Sequence, residues 1–153
     1  MSALALRPAI PAMTADAIEK VRTFQNAAAL LPQIPIETQH VLHAGLYART
    51  LRVPAGTVVV GVLSKIPTVL TVHGDITFWL GTESRRLTGY HVLTASAGRK
   101  QAVWAHEETF ITMSFPTTAK TVEEAESEFT DEIDLLASRR EDTPNQIIIT
   151  GED

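Results

Sequence analysis

Cysteine is absent, which excludes disulfide frameworks, thiolate metal sites and cysteine nucleophiles. Positive charge is scarce as well: 13 Lys and Arg against 18 Asp and Glu leave a formal charge of -5, the wrong sign for a protein that neutralises phosphates. The opening residues Met1-Ser2-Ala3-Leu4-Ala5-Leu6 have no basic lead before Arg7 and Pro8, so the expectation is an intracellular start with neither signal peptide nor spanning helix. No Gly-x-Ser-x-Gly elbow surrounds Ser64, Ser84, Ser96 or Ser114, and no glycine-rich phosphate loop precedes a helix, so serine hydrolysis and nucleotide hydrolysis lack their signatures. What is present is an ordinary globular balance. Apolar residues make up 44% and charged residues 20%, with 8 Gly and 8 Pro, in 153 residues that suit one folded domain with flanking segments.

Three regions follow from patterning: 1–39 as an N-terminal arm and helix, 40–116 as a β-barrel, and 117–153 as an acidic helix and tail. Pro8 and Pro11 predict an extended arm. Thr14 predicts a helix N-cap, Ile18, Val21, Gln25, Ala28 and Leu31 a buried stripe, and Pro32 the stop, after which residues 31–36 read as an extended lead-in. Eight short β-rich runs then follow, at 46–53, 57–63, 68–72, 75–80, 86–90, 91–95, 100–104 and 109–115. His73-Gly74 reads as one of the turns between them. Eight antiparallel strands predict an all-β jelly roll. Residues 121–140 lack Gly and Pro and place Val122, Ala125, Phe129, Ile133 and Leu136 at helical spacing, with acids on the other faces. The charge split is sharp: +4 over residues 1–120 and -9 over 121–153. That asymmetry predicts docking of the acidic helix on a basic β face, of this chain or of a second copy. Ile147-Ile148-Ile149 is a β-branched triplet suited to adding a strand at a sheet edge.

Histidines at 40, 43, 73, 91 and 106 read as hydrogen-bonded or solvent-facing residues, with a metal site as the sharper alternative if His40 and His43 met His91 or His106. Glu107-Glu108 reads as a solvated turn, since adjacent strand residues face opposite ways. Arg49, Arg52, Lys65, Arg85, Arg86, Arg99 and Lys100 lie among Tyr47, Trp79, Tyr90 and Trp104. Either they bind an anionic ligand, or alternation puts them outside while the aromatics pack the core.

The order Leu31-Pro32-Gln33, His40, Gly45-Leu46-Tyr47-Ala48-Arg49, Val53-Pro54-Ala55-Gly56-Thr57, Val60-Gly61, Gly74-Asp75-Ile76-Thr77, Ala97-Gly98-Arg99-Lys100 and His106-Glu107-Glu108-Thr109 resembles the single-domain cupins encoded in phage and prophage genomes. The resemblance implies a cupin-type jelly-roll barrel with an N-terminal helix and an acidic C-terminal helix. It also implies metal-binding histidines at three places where this chain has Ser64, Thr68 and Phe115, so that the metal site is dismantled and no cofactor is expected. The function expected on that basis is a non-catalytic phage-type cupin, an oligomeric structural or interaction module in a virion or in the cytoplasm of a bacterial host. Its expected partners are further copies of itself and other phage structural proteins, not nucleic acid or membrane. Val122, Ala125, Phe129, Ile133, Leu136, Ile147, Ile148 and Ile149 are the candidate interface. The alternative is a metal-free small-molecule enzyme or sensor, with His40, Tyr47, Arg49, Lys100 and Trp104 as the candidate pocket.

Overall fold

The computed structural model describes residues 9–140 and 143–150; residues 1–8 of the expected arm and residues 141–142 and 151–153 of the expected tail lie outside the described residues. The chain runs β1 (Ala9–Ile10), α1 (Ala15–Ala28), β2 (Glu37–His43), β3 (Leu46–Val53), β4 (Val58–Val60), β5 (Thr68–Trp79), β6 (Ser84–Ala95), β7 (Ala102–Ala105), β8 (Thr109–Pro116), α2 (Val122–Phe129) and β9 (Asn145–Ile149). Two 3-10 turns, Ile133–Leu135 and Ala137–Arg139, separate α2 from β9.

The pairing pattern defines the architecture. β3 pairs with β8, β4 with β7 and β5 with β6, all antiparallel, so the chain from 46 to 116 is one long double ribbon. The ribbon is rolled up, because β5 also pairs with β8 through Val69 to His73 and with β7 through Ile76 to Trp79. β5 and β6 therefore each belong to two sheets, β2-β3-β8-β5-β6 and β4-β7-β5-β6. Closing the ribbon on itself in this way is the jelly-roll solution to unpaired sheet edges. β9 extends the first sheet by pairing in parallel with β2, and β1 pairs in parallel with β6.

The changeover between the two sheets corrects an expectation. His73-Gly74 is no turn: β5 is one strand of 12 residues and β6 another, and Gly74 stands opposite Gly89 in their register. Inward alternation continues through it, with Leu70, Val72, Ile76 and Phe78 all buried. A glycine read as punctuation is instead a corner in a continuous strand.

The helices also differ from expectation. Thr14 caps α1, its hydroxyl accepting from the Ala17 N–H at 3.1 Å, as read. The buried side is Ala17 and Val21, with Phe24 edge-on to Trp79, whereas Leu31 is exposed. The C-terminal helix ends at Phe129 and not near Arg140. Lys65 N–H donates to the Phe129 carbonyl at 2.8 Å and Thr130 takes an extended conformation, so a contact from the β4–β5 loop ends the helix despite a sequence that favours its continuation. Ala125, Phe129 and Leu136 are buried in this chain's own second core cluster with Leu42, Tyr47 and Phe115, Ile133 packs against it, and Val122 is buried as well. The apolar stripe thus lies against its own barrel.

Candidate functional site

The first polar assembly is built on β2 and β3, whose register sets His40 opposite Arg49 with Tyr47 two residues along on the same inward face. His40 Nδ1 lies 2.7 Å from the Tyr47 hydroxyl and His40 Nε2 lies 2.8 Å from Asn145 Oδ1. The Asn145 amide donates to the carbonyls of Ser138 and Thr143, which fixes its oxygen toward the ring. The ring therefore donates from Nε2 to Asn145 and accepts the Tyr47 hydroxyl proton at Nδ1. Arg49 donates to Glu126 Oε2 at 2.9 Å and to Ser138 at 3.1 Å, and Arg139 takes the other Glu126 oxygen at 2.8 Å. This network ties α2, the 3-10 segment and β9 to the first sheet.

Burial holds His40 below the usual imidazole range and pushes the Tyr47 hydroxyl up. The sign for stability follows. Above about pH 6.5 both folded and unfolded histidine are neutral; below it the unfolded chain takes up a proton that the buried ring resists, so stability falls with acid down to the folded value. Hydrogen exchange of the Gln146 to Ile149 amides, corrected for intrinsic rates, is expected to lose protection between pH 7 and pH 5. His40→Gln is expected to remove most of that dependence.

The second feature is a cavity of about 760 Å³ inside the barrel and reaching its mouth. Leu51, Leu70, Val103, Ile111 and Met113 line it from the sheets, Phe129 and Leu136 from the C-terminal segment, and residues 27–29, 31–34 and 36 border it. The residues do not fit the metal that the cupin resemblance implies. No histidine lines this space, and among the described residues no group of three His, Asp or Glu is placed to hold an ion. Ser64 lines the cavity but donates to the Ile66 carbonyl at 3.1 Å, while Thr68 is buried and bonded to Arg99. Phe115 packs on Tyr47 and Phe129, with ring centroids 5.4 and 5.9 Å apart. The other histidines scatter: His43 bonds Thr150, His73 packs on Tyr90, His91 reaches the Thr88 carbonyl and His106 bonds Thr77.

The residues of the expected pocket do not form one site. His40, Tyr47 and Arg49 are together, but Lys100 is fully buried elsewhere against Glu132 at 2.9 Å, and Trp104 is half exposed over His106 on the outside of the second sheet. Burial pushes the Glu132 carboxyl up, but Lys100, the Leu63 N–H and Arg22 outweigh it and hold the group below the carboxylate range. Glu107 and Glu108 are exposed, as expected.

Of the seven basic residues that the sequence singles out in the β region, six meet a carboxylate. Arg49 pairs with Glu126, Arg52 with Glu37 and Glu108, Lys65 with Asp131, Arg85 with Glu83, Arg86 with Asp75 and Lys100 with Glu132. The predicted docking of acidic segment on basic surface is thus realised within one chain. Arg99 is the exception among the described residues. It is 2% exposed, lines the cavity and donates to the Ser96 carbonyl and the Thr68 hydroxyl, and its Nε has no partner. Burial pulls the guanidinium down to about 10, so it stays charged at neutral pH. Strand alternation had suggested that Arg99 faces out. It sits in the β6–β7 loop, where a bridge between Ser64 and Arg99 turns it inward.

No family model matches the chain, and no curated protein does. Among solved structures it is similar to a cupin-2 domain protein from Shewanella frigidimarina, at 17% identity and TM-score 0.44 over 65% of this chain and 97% of that one. A cupin superfamily protein from Desulfitobacterium hafniense matches at 12% identity and TM-score 0.47, over 59% and 86%. Ectoine synthase from P. lautus matches at 16% identity and TM-score 0.47, over 65% and 76%. Among the described residues no helix is long and apolar enough to cross a membrane. On its strand order, the chain is a jelly-roll barrel with an N-terminal helix and an acidic C-terminal segment folded onto it.

Proposed function

We propose that the chain is a ligand-binding protein whose barrel takes up one small, largely apolar organic molecule, without a metal. The observation that carries this reading is the cavity of about 760 Å³, walled by aliphatic side chains from both sheets. Its size lies in the range of small-molecule sites, and its few polar groups are of the kind that orient a ligand. The expected structural or interaction role in a phage particle or bacterial cytoplasm is the second reading. One feature favours it: β9 forms a sheet edge with Ile147, Ile148 and Ile149 between 39% and 52% exposed, which suits a second copy or another coat component adding a strand.

Titration with the neutral fluorophore N-phenyl-1-naphthylamine, followed by native mass spectrometry, tests both. Saturable uptake of one probe per chain, weakened about tenfold or more by Met113→Trp, is the expected result, a loss of at least about 1.4 kcal/mol. An oligomer that takes up no probe would favour the second reading and overturn the first.

A further inference from the structure

The cavity is mainly aliphatic, yet one wall holds a charge that no carboxylate among the described residues answers. Arg99 is buried, and its two hydrogen bonds go to uncharged oxygens of Ser96 and Thr68 at 2.7 and 2.8 Å. Those contacts lock the plane of the guanidinium and leave the Nε–H unmet. A buried cation is costly unless paired, and every other basic residue of the β region is paired with an acid of this chain. The nearest comparison within the cavity is Arg49, already neutralised by Glu126. Among the described residues, the acidic segment therefore supplies counter-charges to Arg49, Lys65 and Lys100 and none to Arg99.

We infer that Arg99 is the anchor for a monocarboxylate: the ligand of the barrel carries one carboxylate at the Ser64–Thr68 wall and an uncharged apolar body along Leu70, Ile111 and Met113. This rests on the ligand-binding reading and specifies its chemistry. One fixed cation matches one negative charge, and a planar guanidinium suits the two oxygens of a carboxylate. A doubly charged phosphate monoester would bring more acceptors than the free donors present. A neutral ligand would leave the buried charge uncompensated.

Decanoate and 1-decanol share an apolar body and differ in the head, so calorimetric titration of the intact protein with each separates the two claims. Decanoate is expected to bind about ten- to a hundredfold tighter than decanol, the span of a charge-assisted hydrogen bond of about 1.5–3 kcal/mol. Arg99→Gln should erase the difference by weakening decanoate alone, with Arg99→Lys intermediate because it keeps the charge and loses the planar fork. Equal binding of both compounds to the wild-type protein would overturn the carboxylate assignment and leave the cavity reading standing. Binding of neither would overturn both. The wild-type comparison decides even if Arg99→Gln does not fold.

Discussion

Glu126→Ala is expected to destabilise the protein by about 3–5 kcal/mol, read from urea unfolding, because it leaves a buried guanidinium without its counter-charge. The Glu126 carboxylate is 1% exposed and receives Arg49, Ser138 and Arg139, with Arg49 itself at 5%. Removing the anion strands the Arg49 charge in the core, while Arg139 swings into solvent. The pair as a whole is worth much less than the loss of one partner suggests, since two ions had to be desolvated to bury it. Accordingly the double variant Arg49→Met/Glu126→Leu should recover most of the lost stability, and the coupling between the two sites should be large. Glu123→Ala, on the exposed face of the same helix, should stay within about 0.5 kcal/mol of wild type. Residues 134–137, which line the cavity, are held down through Ser138 and Arg139, so Glu126→Ala should also impair probe uptake. Equal costs for Glu126→Ala and Glu123→Ala would refute the buried network.

How far this arrangement is legible in the sequence depends on whether a signal is local. Leu46–Val53 is read to the residue, because alternation and the following Pro54-Ala55-Gly56 turn are local facts. β2 is absent from the reading, since Pro32 and Pro35 suggest only a lead-in, and the strand exists because β3 and β9 both pair with it. The helix after Thr121 is read too long for the same reason in reverse: its end is imposed by the Lys65 N–H, 64 positions away from Phe129 in the chain. The charge asymmetry between the two halves is visible at once, but its partner assignment is not. It could describe contacts between chains, and the fold resolves it as ion pairs to Arg49, Lys65 and Lys100 within one chain. Arg99 carries no distinguishing sequence signal beside Lys100. Both follow Gly98, and only the placement of Glu132 gives one of them a carboxylate.

Gly74→Ala is expected to cost about 3 kcal/mol or more, against about 1–2 kcal/mol for Gly89→Ala, its register partner at the same corner. Both glycines have positive φ, 150° and 85°, so both pay backbone strain when given a side chain. They differ in what surrounds them. A Cβ on Gly89 would meet nothing within 4 Å, whereas one on Gly74 would fall 2.3 Å from Thr109 Oγ1, 2.7 Å from its Cα and 2.8 Å from the Glu108 carbonyl. Two of those three atoms are backbone, which no rotamer change can move aside. Thr109 is fully buried, its hydroxyl receiving the Asp75 N–H at 3.0 Å and lying 2.9 Å from the Glu107 carbonyl, so displacing it breaks the bonds that join β8 to the bend in β5. That bend is where β5 leaves β8 and joins β7, and hence where the angle between the two sheets is set. The sheets enclose the cavity, so any Gly74→Ala protein that folds should take up N-phenyl-1-naphthylamine more weakly than Gly89→Ala does. Thermal unfolding and probe titration of the two variants side by side make the comparison. Equal loss in both would mean that strain alone governs the corner and that β8 does not press against it.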